Sequence, residues 1–148
     1  MSYDLFLWQR DRNKSIEEEL ETLLYTPPTN QPEINGSSKE QLKKVASTID
    51  QACPDWDSTW LNEMQFDSNT PEGLSYGVVI SANIVNNQVV IHITASYGDV
   101  GSALQAVSKP IEALSTLGFV CFDEQSEELI SATDLNKPVS KKSWWKFW

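Results

Sequence analysis

Histidine occurs once in this chain, at position 92, so no pair of histidines can share acid–base work or hold a metal together. His92 lies in an alternating segment with Thr94, and that segment is preceded by a second one carrying Ser81 and Asn83. If the two segments pair, Ser81, Asn83, His92 and Thr94 share a polar face. They are then the candidates for a small-molecule site or a general base. No Ser-His-Asp or Cys-His grouping follows from spacing. Asp55-x-Asp57-x-Thr59 begins like a calcium loop, but Trp60 stands where glycine is needed and Phe66 where the bidentate glutamate belongs. Gly98-Asp99-Val100-Gly101 opens a helical pattern as anion sites do, yet it lacks the glycine spacing and the lysine of a phosphate loop. The acids of Glu17–Glu21 and Asp123–Glu128 read as solvated helix faces. No cofactor and no metal are expected.

Six tryptophans against one histidine is a composition for contact, not for proton transfer. The net charge is −10, and residues 137–148 carry four lysines and no acid, which leaves −14 on the body before them. Such a body repels nucleic-acid phosphate and attracts basic proteins, peptides or cations. Direct nucleic-acid binding is thereby disfavoured, and a basic protein partner is expected. Its candidate contacts are Glu17, Glu18 and Glu21, Asp55, Asp57 and Asp67, and Asp123, Glu124 and Glu127. The C-terminal KKSWWKFW adds Trp144, Trp145 and Trp148. That aromatic, cationic segment suits three fates: a membrane interface, a hook for a partner, or folding back with its lysines beside acids. Lasting membrane attachment is not expected of eight residues behind an acidic body, and no run approaches the ~18 apolar residues of a span. MSYDLFLW has no leader-like pattern, and Cys53 and Cys121 read as reduced, buried thiols, so a cytoplasmic location is expected.

The elements that must position these residues are legible to different degrees. Ser2 to Trp8 alternates, with Tyr3, Leu5 and Leu7 on one face and Phe6 and Trp8 on the other. Ser15-Ile16-Glu17-Glu18 is a capping box, and Ile16, Leu20, Leu23 and Leu24 then follow helical spacing up to Pro27-Pro28. A loop from Thr26 to Ser38 leads to a second helix capped by Ser37 or Ser38, with Leu42, Val45, Ala46, Ile49 and Cys53 as its stripe and Pro54 as its end. Asp55 to Gly73 reads as a mostly irregular excursion. Asn86-Asn87 suits a type I′ turn, and a two-residue loop there pairs Val85 with Gln88, Ala82 with Ile91 and Ser81 with His92. In that register Val78, Ile80, Ala82, Ile84, Val89, Ile91, Ile93 and Ala95 share a face, and a one-residue slip would set the two patterns against each other. Gly98 or Asp99 caps a third helix whose stripe runs Val100, Leu104, Val107, Ile111, Leu114, with Pro110 expected to bend or break it. Gly118 ends it, Phe119–Phe122 is a strand, and Glu124–Ala132 is expected as a short acidic helix.

The order, β-αα-β-β-α-β, predicts an α+β fold: a four-stranded antiparallel sheet of ferredoxin-like order, with the helices on one face. Residues 1–136 form a single domain and 137–148 a basic aromatic tail. The opening Met1-Ser2-Tyr3-Asp4-Leu5-Phe6-Leu7-Trp8 resembles the start of small bacterial proteins that include immunity proteins of polymorphic and contact-dependent toxin systems. The resemblance implies a cytoplasmic, non-enzymatic antidote that binds a cognate toxin domain and blocks it. The alternative is a small-molecule-binding domain or enzyme built on the polar face around His92.

Overall fold

The computed structural model describes residues 2–11, 13–25, 35–74, 76–96 and 100–132. Its strands form one antiparallel sheet of seven, in the order β2-β3-β4-β5-β1-β6-β7. These are β1 (Ser2–Gln9), β2 (Asp57–Asn62), β3 (Gln65–Asn69), β4 (Gly77–Val85), β5 (Gln88–Ser96), β6 (Phe119–Asp123) and β7 (Glu128–Ile130). The helices are α1 (Ile16–Tyr25), α2 (Gly36–Ala52) and α3 (Val100–Ser115). The α+β class stands, and the four strands read from the sequence are neighbours in the middle of the sheet. A sheet of only four strands does not.

The hairpin forms as its alternation dictates. Asn86 and Asn87 adopt φ of 51° and 56°, the left-handed pair a type I′ turn requires. Val85 faces Gln88, Ala82 faces Ile91 and Ser81 faces His92. β1 enters between the hairpin and β6, with Phe6 opposite His92 on one side and opposite Phe122 on the other. It is covered on both faces: Tyr3, Leu5 and Leu7 join one core, and Trp8 joins another.

The first core lies between the sheet and the helices α2 and α3. It holds Leu42, Val45, Ala46 and Ile49 of α2 and Leu104, Val107, Ile111 and Leu114 of α3 against Ile80, Ile91 and Ile93. The second, smaller core lies on the opposite face, where Ile16, Leu20 and Leu23 of α1 pack on Trp8, Val90 and Phe122. The helices therefore do not share one face. The stripe on α1 is apolar enough to need burial, but stripes on α2 and α3 already fill the inner face, and Phe6, Trp8 and Phe122 offer α1 the other.

Four local expectations are corrected. The excursion after α2 is not irregular. It contributes β2 and β3, in which Ser58 and Ser68 point inward and share a hydrogen bond of 3.0 Å. Polar residues on the inward positions hid the alternation. The segment after β6 is a hairpin to β7 instead of a helix. The Asp123 carboxylate accepts from the amides of Gln125 (2.9 Å) and Ser126 (3.4 Å), which closes a turn there, and Glu127 takes φ of 57°. The cap of α2 is Asn35, whose side chain accepts from Ser38 N–H at 2.8 Å. Of the bend or break anticipated at Pro110, the break is overturned: α3 continues through this buried residue.

Other readings hold. Ser15 accepts from Glu18 N–H at 3.2 Å, as an N-cap does, and Gly118 ends α3 at φ 91°. Both cysteines are free and buried. Pro27-Pro28, Gly98, Asp99 and the tail with Trp144, Trp145 and Trp148 lie outside the described residues. Among the described residues no helix is long and apolar enough to cross a membrane.

Candidate functional site

The outer face of the sheet, the one that carries α1, is only partly covered by it. Pairing registers place one row of side chains straight across all seven strands: Thr59, Asp67, Ser81, His92, Phe6, Phe122 and Leu129. A second row beside it runs Asp57, Asn69, Val79, Thr94 and Asp4. Three of the four residues of the anticipated polar face, Ser81, His92 and Thr94, and two acids assigned to a loop, Asp57 and Asp67, thus lie on the same surface. Asn83 joins them opposite Gln65.

This polar surface is tied together by its own hydrogen bonds. Ser81 donates to Asp67 at 2.6 Å. Asp4, a residue that sequence reasoning passed over, sits at the centre of the other group: its carboxylate is 2.9 Å from His92 Nε2 and accepts from Thr94 at 3.2 Å. The alternation of β1 already placed Asp4 on the outer face, but its meeting with His92 depends on a cross-strand register that spacing within β1 does not contain. His92 also stacks on Phe6, with ring centroids 4.5 Å apart and planes 7° from parallel. The Ser81 hydroxyl is thereby committed to one carboxylate and His92 to another, on neighbouring strands, and they do not form a nucleophile–base pair. Among the described residues no set of three or more His, Cys, Asp or Glu side chains is placed to hold a metal ion.

Phe6 links this surface to a cleft. Between α1 and the β6–β7 turn lies a space of ≈ 790 Å³ whose floor is Phe6, Ile16, Leu20 and Phe122 and whose rim is Glu17, Glu21, Glu124 and Glu127. Four acids from two distant parts of the chain, singled out as separate segments, frame one apolar floor. Among the described residues no lysine or arginine lines it. The local reasons are plain: α1 turns its apolar stripe to the sheet, so acids one step round the helix border it, and the tight β6–β7 turn lifts Glu124 and Glu127 beside them.

Not every acid is on this surface. Asp123 is only 3 % exposed and accepts from the Tyr3 hydroxyl, so it is part of the fold and not a contact residue. Burial, and then the Asp123 carboxylate, push the Tyr3 phenol far above its ordinary range. Glu19, also buried at 4 %, pairs with Arg10 at 2.8 Å and accepts from the Asp11 amide, which pins α1 to the end of β1. Glu18 is exposed on the first turn of α1 but does not line the cleft, and Asp55 is exposed in the turn before β2. Of the five lysines among the described residues, Lys14 stands just before α1, and the other four lie elsewhere. Lys39, Lys43 and Lys44 belong to α2 and Lys109 to α3, in the layer on the other side of the sheet.

Compared with protein-family models, with curated proteins and with solved structures, the chain matches none of them.

Proposed function

We propose that this chain is a non-enzymatic recognition domain that binds a basic protein through the outer face of its sheet. The observation that carries the reading is the continuity of that face. The glutamate-rimmed cleft, the Phe6–His92 stack and the carboxylates Asp4, Asp67 and Asp57 follow one another with no lysine or arginine between them among the described residues. An apolar floor inside an acidic rim suits a partner that presents an aromatic or aliphatic anchor flanked by lysine or arginine. The internal pairing of Ser81 with Asp67 and of His92 with Asp4 favours recognition over catalysis on the polar face.

The partner we infer is a toxin domain, and the chain its cytoplasmic antidote, as the resemblance of residues 1–8 to bacterial immunity proteins implies. Toxin domains that act on nucleic acid are commonly basic, and an acidic surface attracts them and disfavours wrong partners. We also infer that the central strands β4-β5-β1-β6 are a ferredoxin-like core with β2, β3 and β7 added at its edges. Their neighbour order and antiparallel pairing support this.

The test is affinity capture from the native host at low salt. A basic protein is expected in equal amounts with the chain. Replacing Glu124 and Glu127 by lysine is expected to weaken capture by about tenfold per reversal, which is ~1.4 kcal/mol each. Capture that yields no stoichiometric protein partner refutes the reading.

A further inference from the structure

The cleft between α1 and the β6–β7 turn is an apolar floor in a charged rim, and the chain itself carries a segment of complementary chemistry. We propose that residues 141–148, KKSWWKFW, dock in this cleft within the same molecule, so that the aromatic tail is the resident ligand of the site. Three observations lead there. The floor of Phe6, Ile16, Leu20 and Phe122 is apolar and aromatic, and at ≈ 790 Å³ the cleft lies within the size range that takes a drug-sized ligand or a pair of indoles. The rim among the described residues is four glutamates, opposite in sign to Lys141, Lys142 and Lys146. Ala132, just beyond β7, packs against the inner core, and β7 is the edge strand of the sheet, so the chain has one edge to round to reach the cleft walled by the β6–β7 turn. The nine residues from Ala132 to Lys141 can span roughly 30 Å, enough to return to the floor.

Docking in the same chain needs little intrinsic affinity, because a short tether holds the segment at an effective concentration in the millimolar range. Burying Trp144 or Trp145 against Phe6 and Phe122 removes apolar surface from water on both sides, while the lysines meet glutamates at the exposed rim. A partner using this cleft must then displace the tail, which makes the tail a competitor that raises the threshold for binding. The inference uses the same cleft as the proposed partner surface but does not require that a partner exist.

The experiment has two arms, neither of which contains a partner. Among the described residues both apolar cores are built from residues 3–132, and a chain without residues 141–148 keeps all of them. A synthetic peptide of residues 141–148 is expected to bind the truncated chain, to bind the full chain at least tenfold more weakly, and to lose binding to truncated chain carrying Glu124→Lys and Glu127→Lys. In the second arm, the same two substitutions in the full chain are expected to shift tryptophan emission to longer wavelength as the tail indoles enter water. Circular dichroism confirms that the variants fold. Equal binding of the peptide to both chains, binding to neither, or binding indifferent to the two substitutions overturns the proposal. So does pelleting of the full chain with anionic vesicles together with unchanged emission in the substituted protein. Failure of either arm leaves the capture experiment intact, and an empty capture leaves this one intact.

Discussion

Replacing Tyr3 by phenylalanine tests whether Asp123 belongs to the fold and not to the binding surface. The ring stays and only the hydroxyl leaves, from a side chain 1 % exposed, and its acceptor is a carboxylate 3 % exposed. A hydrogen bond to a charged group contributes about 1.5–3 kcal/mol. Because the Gln125 and Ser126 amides still serve the carboxylate, the loss should be near the middle, about 2 kcal/mol. The magnitude also has a pH signature. The phenol holds its proton far above its ordinary value in the folded chain, whereas the unfolded chain releases it near pH 10. The wild type's advantage is therefore complete below about pH 10 and declines above it by ~1.4 kcal/mol per pH unit, closing near pH 11.5. Urea unfolding of wild type and Tyr3→Phe at pH 7, 9, 10.5 and 11 measures the gap directly. The buried thiols contribute equally to both proteins and cancel. A gap below about 0.5 kcal/mol at pH 7, or one that does not shrink above pH 10, refutes the assignment of Asp123 to this pair. The same variant should leave partner binding unchanged, in contrast to Glu124→Lys.

Two further outcomes are expected. Asn87 accepts from the Asn35 amide at 2.9 Å besides holding a left-handed turn position, so Asn87→Ala should cost about 2–3 kcal/mol and Asn87→Gly about 1, by urea unfolding. A stabilising glycine would show that the side-chain bond contributes nothing. Burial pushes the Cys53 thiol up to about 11, which leaves about one thiolate in a thousand at pH 8. Cys121 is buried too, with its thiol raised by burial and then by Asp123, so a disulfide-exchange reagent should titrate neither in the native protein and both in denaturant. Rapid native labelling of Cys53 contradicts its burial.

The hairpin was readable to the residue because two independent constraints, the Asn-Asn turn and the alternation, agree only in one register. β2 and β3 were not, because Ser58 and Ser68 occupy inward positions that a sheet usually fills with apolar residues; backbone pairing at the edge holds them, with Phe66 as the buried anchor of β3. The stripe on α1 was visible, but a stripe states that a helix must be buried and not on which face of the sheet. The acids show the same limit at the site. Glu17, Glu21, Glu124 and Glu127 were recognisable as surface charge, whereas their convergence depends on α1 crossing to the β6 side. Asp123 looked like its neighbours because its partner, Tyr3, is 120 residues away.

The division of charge between the two helical layers gives the molecule a long-range orientation. Among the described residues, Lys39, Lys43, Lys44 and Lys109 lie on the α2–α3 side, mixed with Glu40, Asp50 and Glu112, while the α1 side sets Arg10 and Lys14 against Glu17, Glu18, Glu19, Glu21, Glu124 and Glu127. The described residues thus form an electric dipole with its negative pole over the cleft, which is at full strength when the tail proposed above is displaced. In the field of a cationic object it rotates before it touches, so collisions arrive cleft-first more often than chance. Its association rate should fall steeply with ionic strength, while its rate of release changes little.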